Sequence, residues 1–193
     1  MQIKVPPTSP TNVLDAREHR LTAFVTASIE AAVADGHRAN ILAVIRSSES
    51  PVARALIALR PLLAAQGATI RLVIADEDAP ITQFMPGDTS GDAVATDVRI
   101  ARNPRLRDVH EQLVVGHSVW FGDSLRRDVT RRDLFEQFHR ATPEIARAAA
   151  HTFENLWSRT EPYLALPALA QDSLAALPSR NSGNTGPSGA TLC

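Results

Sequence analysis

Two β-branched runs with a helix between them constrain this chain more than any other feature. Asn40–Arg46 and Thr69–Ala75 are apolar at nearly every consecutive position, the pattern of strands covered on both faces. Between them Ser50 reads as an N-cap and Pro51 as the first helical residue. That helix is expected to run to about Gln66 and to stop at Gly67. Strand, helix and strand over Asn40–Ala75 make a βαβ unit, parallel and right-handed by default. An amphipathic helix from Asp15 to Asp35 precedes it, with Leu21, Phe24, Val25, Ile29, Ala32 and Val33 recurring at threes and fours before Gly36.

The second half adds a third strand at Asp97–Arg102, a turn at Asn103-Pro104, and a lead-in over Leu106–Val109. Two short apolar strands follow, Leu113–Val115 and Val119–Phe121, joined by a Gly116-His117-Ser118 turn. His110 is expected just before the first of them, and a Gly122-Asp123-Ser124 turn just after the second. A last strand is expected over Asp133–His139. Thr142-Pro143-Glu144 opens a helix through Trp157, with Ala146, Ala149, Ala150, Phe153, Leu156 and Trp157 on its inner face. The long acidic stretch 76–96, rich in Pro and Gly, reads as a lid or insert.

The 193 residues, 44% of them hydrophobic, suit one domain with an aliphatic core. The expected boundaries are an arm over 1–14, an α/β domain over 15–165, and a short helix with a disordered tail over 166–193. Twenty basic against 21 acidic side chains leave a net charge of −1, so no global field draws in nucleic acid or an anionic membrane. Cys193 is the only cysteine, which excludes an internal disulfide and any cysteine-based metal site. No apolar run is long enough for a membrane span, and Met1–Pro7 lacks the apolar core of a signal peptide. The expected location is the cytoplasm.

Chemistry is expected at the carboxyl ends of the strands, where open α/β sheets hold ligands. Ser47, Ser48 and Ser50 stand in front of a helix start and read either as an anion site or as a plain helix cap. His110 reads as a nucleophile or base, or as a structural donor at a strand entrance. The other histidines lack helical metal-ligand spacing, and the acidic loop lacks an EF-hand pattern. No metal and no cofactor are expected. Trp120 and Trp157 read as core residues.

This layout resembles one half of the phospholipase D-like superfamily over roughly residues 17–160. The resemblance rests on the element order, on His110 at the head of the hairpin, on Gly122-Asp123-Ser124, and on Phe153-Glu154-Asn155-Leu156-Trp157 in the closing helix. It implies an α/β fold, a layered mixed sheet of about six strands with helices on its faces. The family places a His-x-Lys motif and an Asp at the hairpin and uses two such motifs around one phosphohistidine centre. By that resemblance His110, Gln112 and Ser124 form the catalytic set, and a homodimer would supply the second motif. Gln112 stands at the lysine position and His117 at the aspartate position, and the hairpin is shorter than the family's. Loss of the preorganised cation costs ~100-fold or more in rate. Arg126 and Arg127 would supply the missing charge to a phosphate-containing ligand, or would pair with Asp123, Asp128 and Asp133. The resulting expectation is a degenerate, non-catalytic binding or regulatory domain. The competing readings are a phosphodiesterase, nuclease- or phospholipase-like, using His110 in a homodimer, and an anion- or nucleotide-binding domain centred on Ser47–Ser50.

Overall fold

A computed structural model describes residues 10–76, 94–125 and 135–163, all within one compact unit that ends at Tyr163. In chain order it contains α1 (Pro10–Ala34), β1 (Asn40–Ile45), α2 (Pro51–Ala58), α3 (Arg60–Ala65), β2 (Thr69–Ile74) and β3 (Ala95–Ile100). A 3-10 turn (Pro104–Arg107) leads to β4 (His110–Val115), β5 (Ser118–Ser124), β6 (Gln137–His139), α4 (Pro143–Trp157) and β7 (Glu161–Pro162). The expectations for the 76–96 loop beyond Asp76, for Arg126–Asp133 and for the stretch after Tyr163 lie outside the described residues, apart from the first residues of β3.

The fold is α/β: a seven-stranded mixed sheet, ordered β6-β5-β4-β1-β2-β3-β7, with helices on its faces. β1, β2 and β3 are parallel, joined in register from Asn40↔Thr69 to Ile45↔Ile74 and from Thr69↔Ala95 to Ile74↔Ile100. β4 and β5 add antiparallel to β1 as a hairpin, so both of its strands are interior to the sheet. The strand count exceeds the expected six because Glu161–Pro162 pairs with the edge of β3.

Alternation along the strands sorts side chains onto two cores. Ile41, Ala43 and Ile45 of β1, with Ile70, Leu72 and Leu113, meet Leu21, Phe24, Val25 and Ile29 of α1 and Val52 and Leu56 of α2. Leu42, Val44, Val73 and Val114 meet Ala146, Ala149, Phe153, Leu156 and Trp157 of α4 on the other face. Trp157 also lies under two guanidiniums, Arg71 at 4.3 Å and Arg99 at 4.5 Å from its ring centre. Arg71 pairs in addition with Glu154, which ties α4 to β2.

Several expected boundaries move for identifiable reasons. The first helix begins at Pro10 rather than Asp15, inside the stretch expected as an arm, and residues 1–9 of that stretch lie outside the described residues. It ends as expected at Gly36, whose φ of +74 allows Gly36 and His37 to return hydrogen bonds to Val33 and Ala32. The single helix expected over 51–66 is two, because Pro61 has no N–H to continue the ladder and the chain breaks at Leu59. His110 lies inside β4 rather than before it, and Gly122, Asp123 and Ser124 belong to β5 rather than to a turn. The hairpin turn is the two residues Gly116-His117, with Gly116 at φ +56, since Ser118 already pairs with Val115.

Phe153 is wholly buried and stacks on Trp157 at 5.4 Å. Phe153→Ala is expected to lower unfolding free energy by about 3–5 kcal/mol, read from urea denaturation. A loss below about 1 kcal/mol would contradict α4 as the cover of this face.

Candidate functional site

The strand directions bring the carboxyl ends of β1, β2, β3 and β5 to the same end of the sheet as the start of β4. His110, Glu111, Ser124, Arg46 and the Ser47–Ser50 connection therefore share that end. The register between β4 and β5 slips by one residue there, from Gln112↔Phe121 to His110↔Ser124, so Gly122 and Asp123 both stand opposite Glu111. Such a bulge bends the strand and re-aims its groups. It presents the Gly122 carbonyl to His110.

The His110 ring is solvent-exposed and its Nδ1 lies 3.0 Å from the Gly122 oxygen. A carbonyl only accepts, so Nδ1 carries the proton and, in the neutral ring, Nε2 presents a free lone pair. Phe135 packs beside the ring at 5.4 Å. In front of it opens a cleft of about 530 Å³, walled by Phe121 and by Glu144, Ile145, Ala148 and Thr152 of α4. Gln112 lines the same cleft, as the i, i+2 spacing on a strand requires. Its amide is buried, and Nε2 donates to the Ala149 carbonyl at 3.3 Å. Among the described residues lining this cleft, Glu144 brings the one formal charge, and it is negative.

Behind β4, on the α1 face, a buried polar cluster supports this end of the sheet. Arg17, 3% exposed, donates to Asp123 at 3.0 Å and lies 3.6 Å from Glu136 and 5.1 Å from the centre of the Trp120 ring. Trp120 Nε1 donates to Glu136 at 3.1 Å, and Asp123 accepts the Phe135 N–H at 2.8 Å. Gly122 fits only as glycine: a Cβ there would stand 2.2 Å from the Trp120 ring and 2.8 Å from the Arg17 guanidinium. Glu111, also buried, accepts the Arg46 N–H at 3.0 Å. Burial raises its pKa, against the lowering effect of that hydrogen bond and of the Arg17 and Arg46 charges, with Asp123 pushing it further up. The Arg46 guanidinium donates to the Ser124 carbonyl, which joins β1 to β5 across β4.

The expected residues divide clearly. His110 and Gln112 share a cleft, and Ser124 pairs opposite His110 across the ladder. Ser50 is spent on capping: its Oγ accepts from Ala53 N at 3.2 Å. Ser48 is buried and Ser47 half-buried on the same connection. Arg126 and Arg127 lie outside the described residues. The sequence reading missed Arg17, Glu111 and Glu136. Arg17 sits one turn before Leu21 on the apolar stripe of α1, and Glu111 shares strand parity with Leu113 and Val115, so a charge in line with a core face was the available signal. Among the described residues no cluster of His, Cys, Asp and Glu could hold a metal ion, and no helix is long and apolar enough to cross a membrane.

No family model matches the chain, and no curated protein matches it. Among solved structures it is similar to TrmBL2, an archaeal chromatin protein described as showing a novel mode of DNA binding. The likeness covers 81% of this chain and 72% of that one, at 14% identity and a TM-score of 0.46. At that score nothing about the function of this chain follows from it.

Because the folded state holds the Glu111 proton more tightly than the unfolded chain does, this group stabilises the fold at low pH. Its contribution is lost as pH rises from the ordinary carboxylate range through the raised folded value. Glu111→Gln cannot ionise, so its melting temperature relative to wild type is expected to rise steadily from acid to neutral pH. A difference that stays flat or falls over that range would contradict the buried, proton-holding Glu111.

Proposed function

We propose that this chain is a degenerate, phospholipase D-like domain that acts by binding rather than by phosphoryl transfer. The supporting observation is the cleft before His110: Gln112 replaces a cation, its amide is committed to the Ala149 carbonyl, and Glu144 adds negative charge. Among the described lining residues a phosphodiester entering there would meet a carboxylate rather than the positive group that its transition state needs. The apolar wall of Phe121, Ile145, Ala148 and Ala149 instead favours a neutral group.

One observation favours the phosphodiesterase reading. The Gly122 carbonyl fixes the ring so that Nε2 faces outward, the tautomer a nucleophilic or basic imidazole requires. On that reading two copies of the chain would bring two His110 rings around one phosphate.

Hydrolysis of bis(p-nitrophenyl) phosphate separates the two. The binding reading predicts the same background rate for wild type and His110→Ala. Turnover in wild type that vanishes in His110→Ala would overturn it in favour of the enzyme.

A further inference from the structure

A second cleft, at the opposite end of the sheet from His110, has the complementary electrostatic character. It encloses about 490 Å³ between α1 and α4, against the start of β1 and the β4–β5 turn. The space exists because small side chains face it: Ala32, Gly116, Ala146 and Ala150 stand where larger ones would fill it. Leu42 and Val114, both nearly buried, form its apolar floor. Around the rim stand His37, Arg38, His117 and Arg147, all exposed, with Asp35 as the one acid. None of these four basic side chains makes an ion pair with an acid among the described residues. Two guanidiniums against one carboxylate leave the rim net positive even with both imidazoles neutral.

We infer that this cleft binds a small organic anion, with its apolar body on Leu42 and Val114 and its carboxylate or phosphate held by Arg38 and Arg147. The volume lies within the ~300–1,000 Å³ of small-molecule sites, and an apolar floor with a few convergent polar groups is how such sites are built. Guanidinium forks match both carboxylate and phosphate oxygens, so the shared chemistry is the anion. Arg147 is carried by α4, and Arg38 stands two residues before β1 on the short α1–β1 connection. Gly116, at φ +56, is held within van der Waals reach of Ala32: a Cβ on it would lie 3.5 Å from the Ala32 Cβ. This site is separate from the His110 cleft, and its test reads a different end of the sheet from the hydrolysis assay.

The test titrates full-length protein with 1-naphthoate, 1-naphthyl phosphate and uncharged 1-naphthalenemethanol, followed by amide NMR and calorimetry. Both anions are expected to shift the Gly116, His117 and Arg147 amides. The exposed double variant Arg38→Ala/Arg147→Ala should weaken the anions ~10-fold or more while leaving the alcohol little changed. The tighter anion identifies the head group as carboxylate or phosphate. Filling the floor with Ala150→Leu should weaken all three probes. No shift at millimolar anion, shifts confined to the His110 end, or equal affinity in the double variant would each overturn the assignment.

Discussion

The structure depends on one buried charge. Arg17 enters the α1 face of the sheet almost without solvent, and an unpaired guanidinium there would cost several kcal/mol. It is held instead by Asp123 and Glu136, with Trp120 stacked against it and the Phe135 carbonyl at 3.4 Å. These partners come from β5 and from the start of the β6 segment, so the ion cluster joins α1 to strands more than 100 positions away. Apolar packing would tolerate a small slide of β5. The fork geometry of a buried guanidinium tolerates far less.

That constraint passes directly to His110. Asp123 and Gly122 sit in the bulge opposite Glu111, and the crowding of Gly122 by Trp120 and Arg17 fixes where its carbonyl points. The carbonyl in turn sets the imidazole. The resulting ring has the tautomer of a reactive histidine, and it lines a cleft in which the one formal charge among the described residues is the Glu144 carboxylate. The opposite end of the sheet has basic groups around an apolar floor. Among the described residues, the oriented imidazole lines one cleft and the unpaired guanidiniums of Arg38 and Arg147 line the other, at opposite ends of the sheet.

Much of the architecture was legible from periodicity. Consecutive β-branched residues marked β1 and β2, three-and-four spacing marked α1 and α4, Gly36 marked the end of α1, and Ser50 marked the start of α2. The α2–α3 break was legible in Pro61 but lost in the expectation of one continuous helix. The bulge was not legible, because a one-residue slip in β5 leaves no trace in composition, and Gly122-Asp123-Ser124 has the residues of a turn. That His110 and Gln112 share a face follows from β4 reaching back to His110, which an expected strand start at Leu113 did not show. What the linear sequence could not show is that Arg17, Asp123 and Glu136 meet, since nothing local links them. The basic-rimmed cleft was equally hidden, its residues being spread over α1, the start of β1, a turn and α4.

The most direct test of this coupling is the ¹⁵N spectrum of the His110 imidazole in wild type and in Arg17→Met, above the pH at which the ring is neutral. In wild type the proton is expected on Nδ1 with Nε2 unprotonated. In Arg17→Met, which keeps much of the side-chain volume but removes the fork, a mixture of tautomers is expected as the Gly122 carbonyl loses its fixed position. A wild-type ring protonated on Nε2, or an Arg17→Met ring indistinguishable from wild type, would contradict the claim that the buried guanidinium sets this histidine.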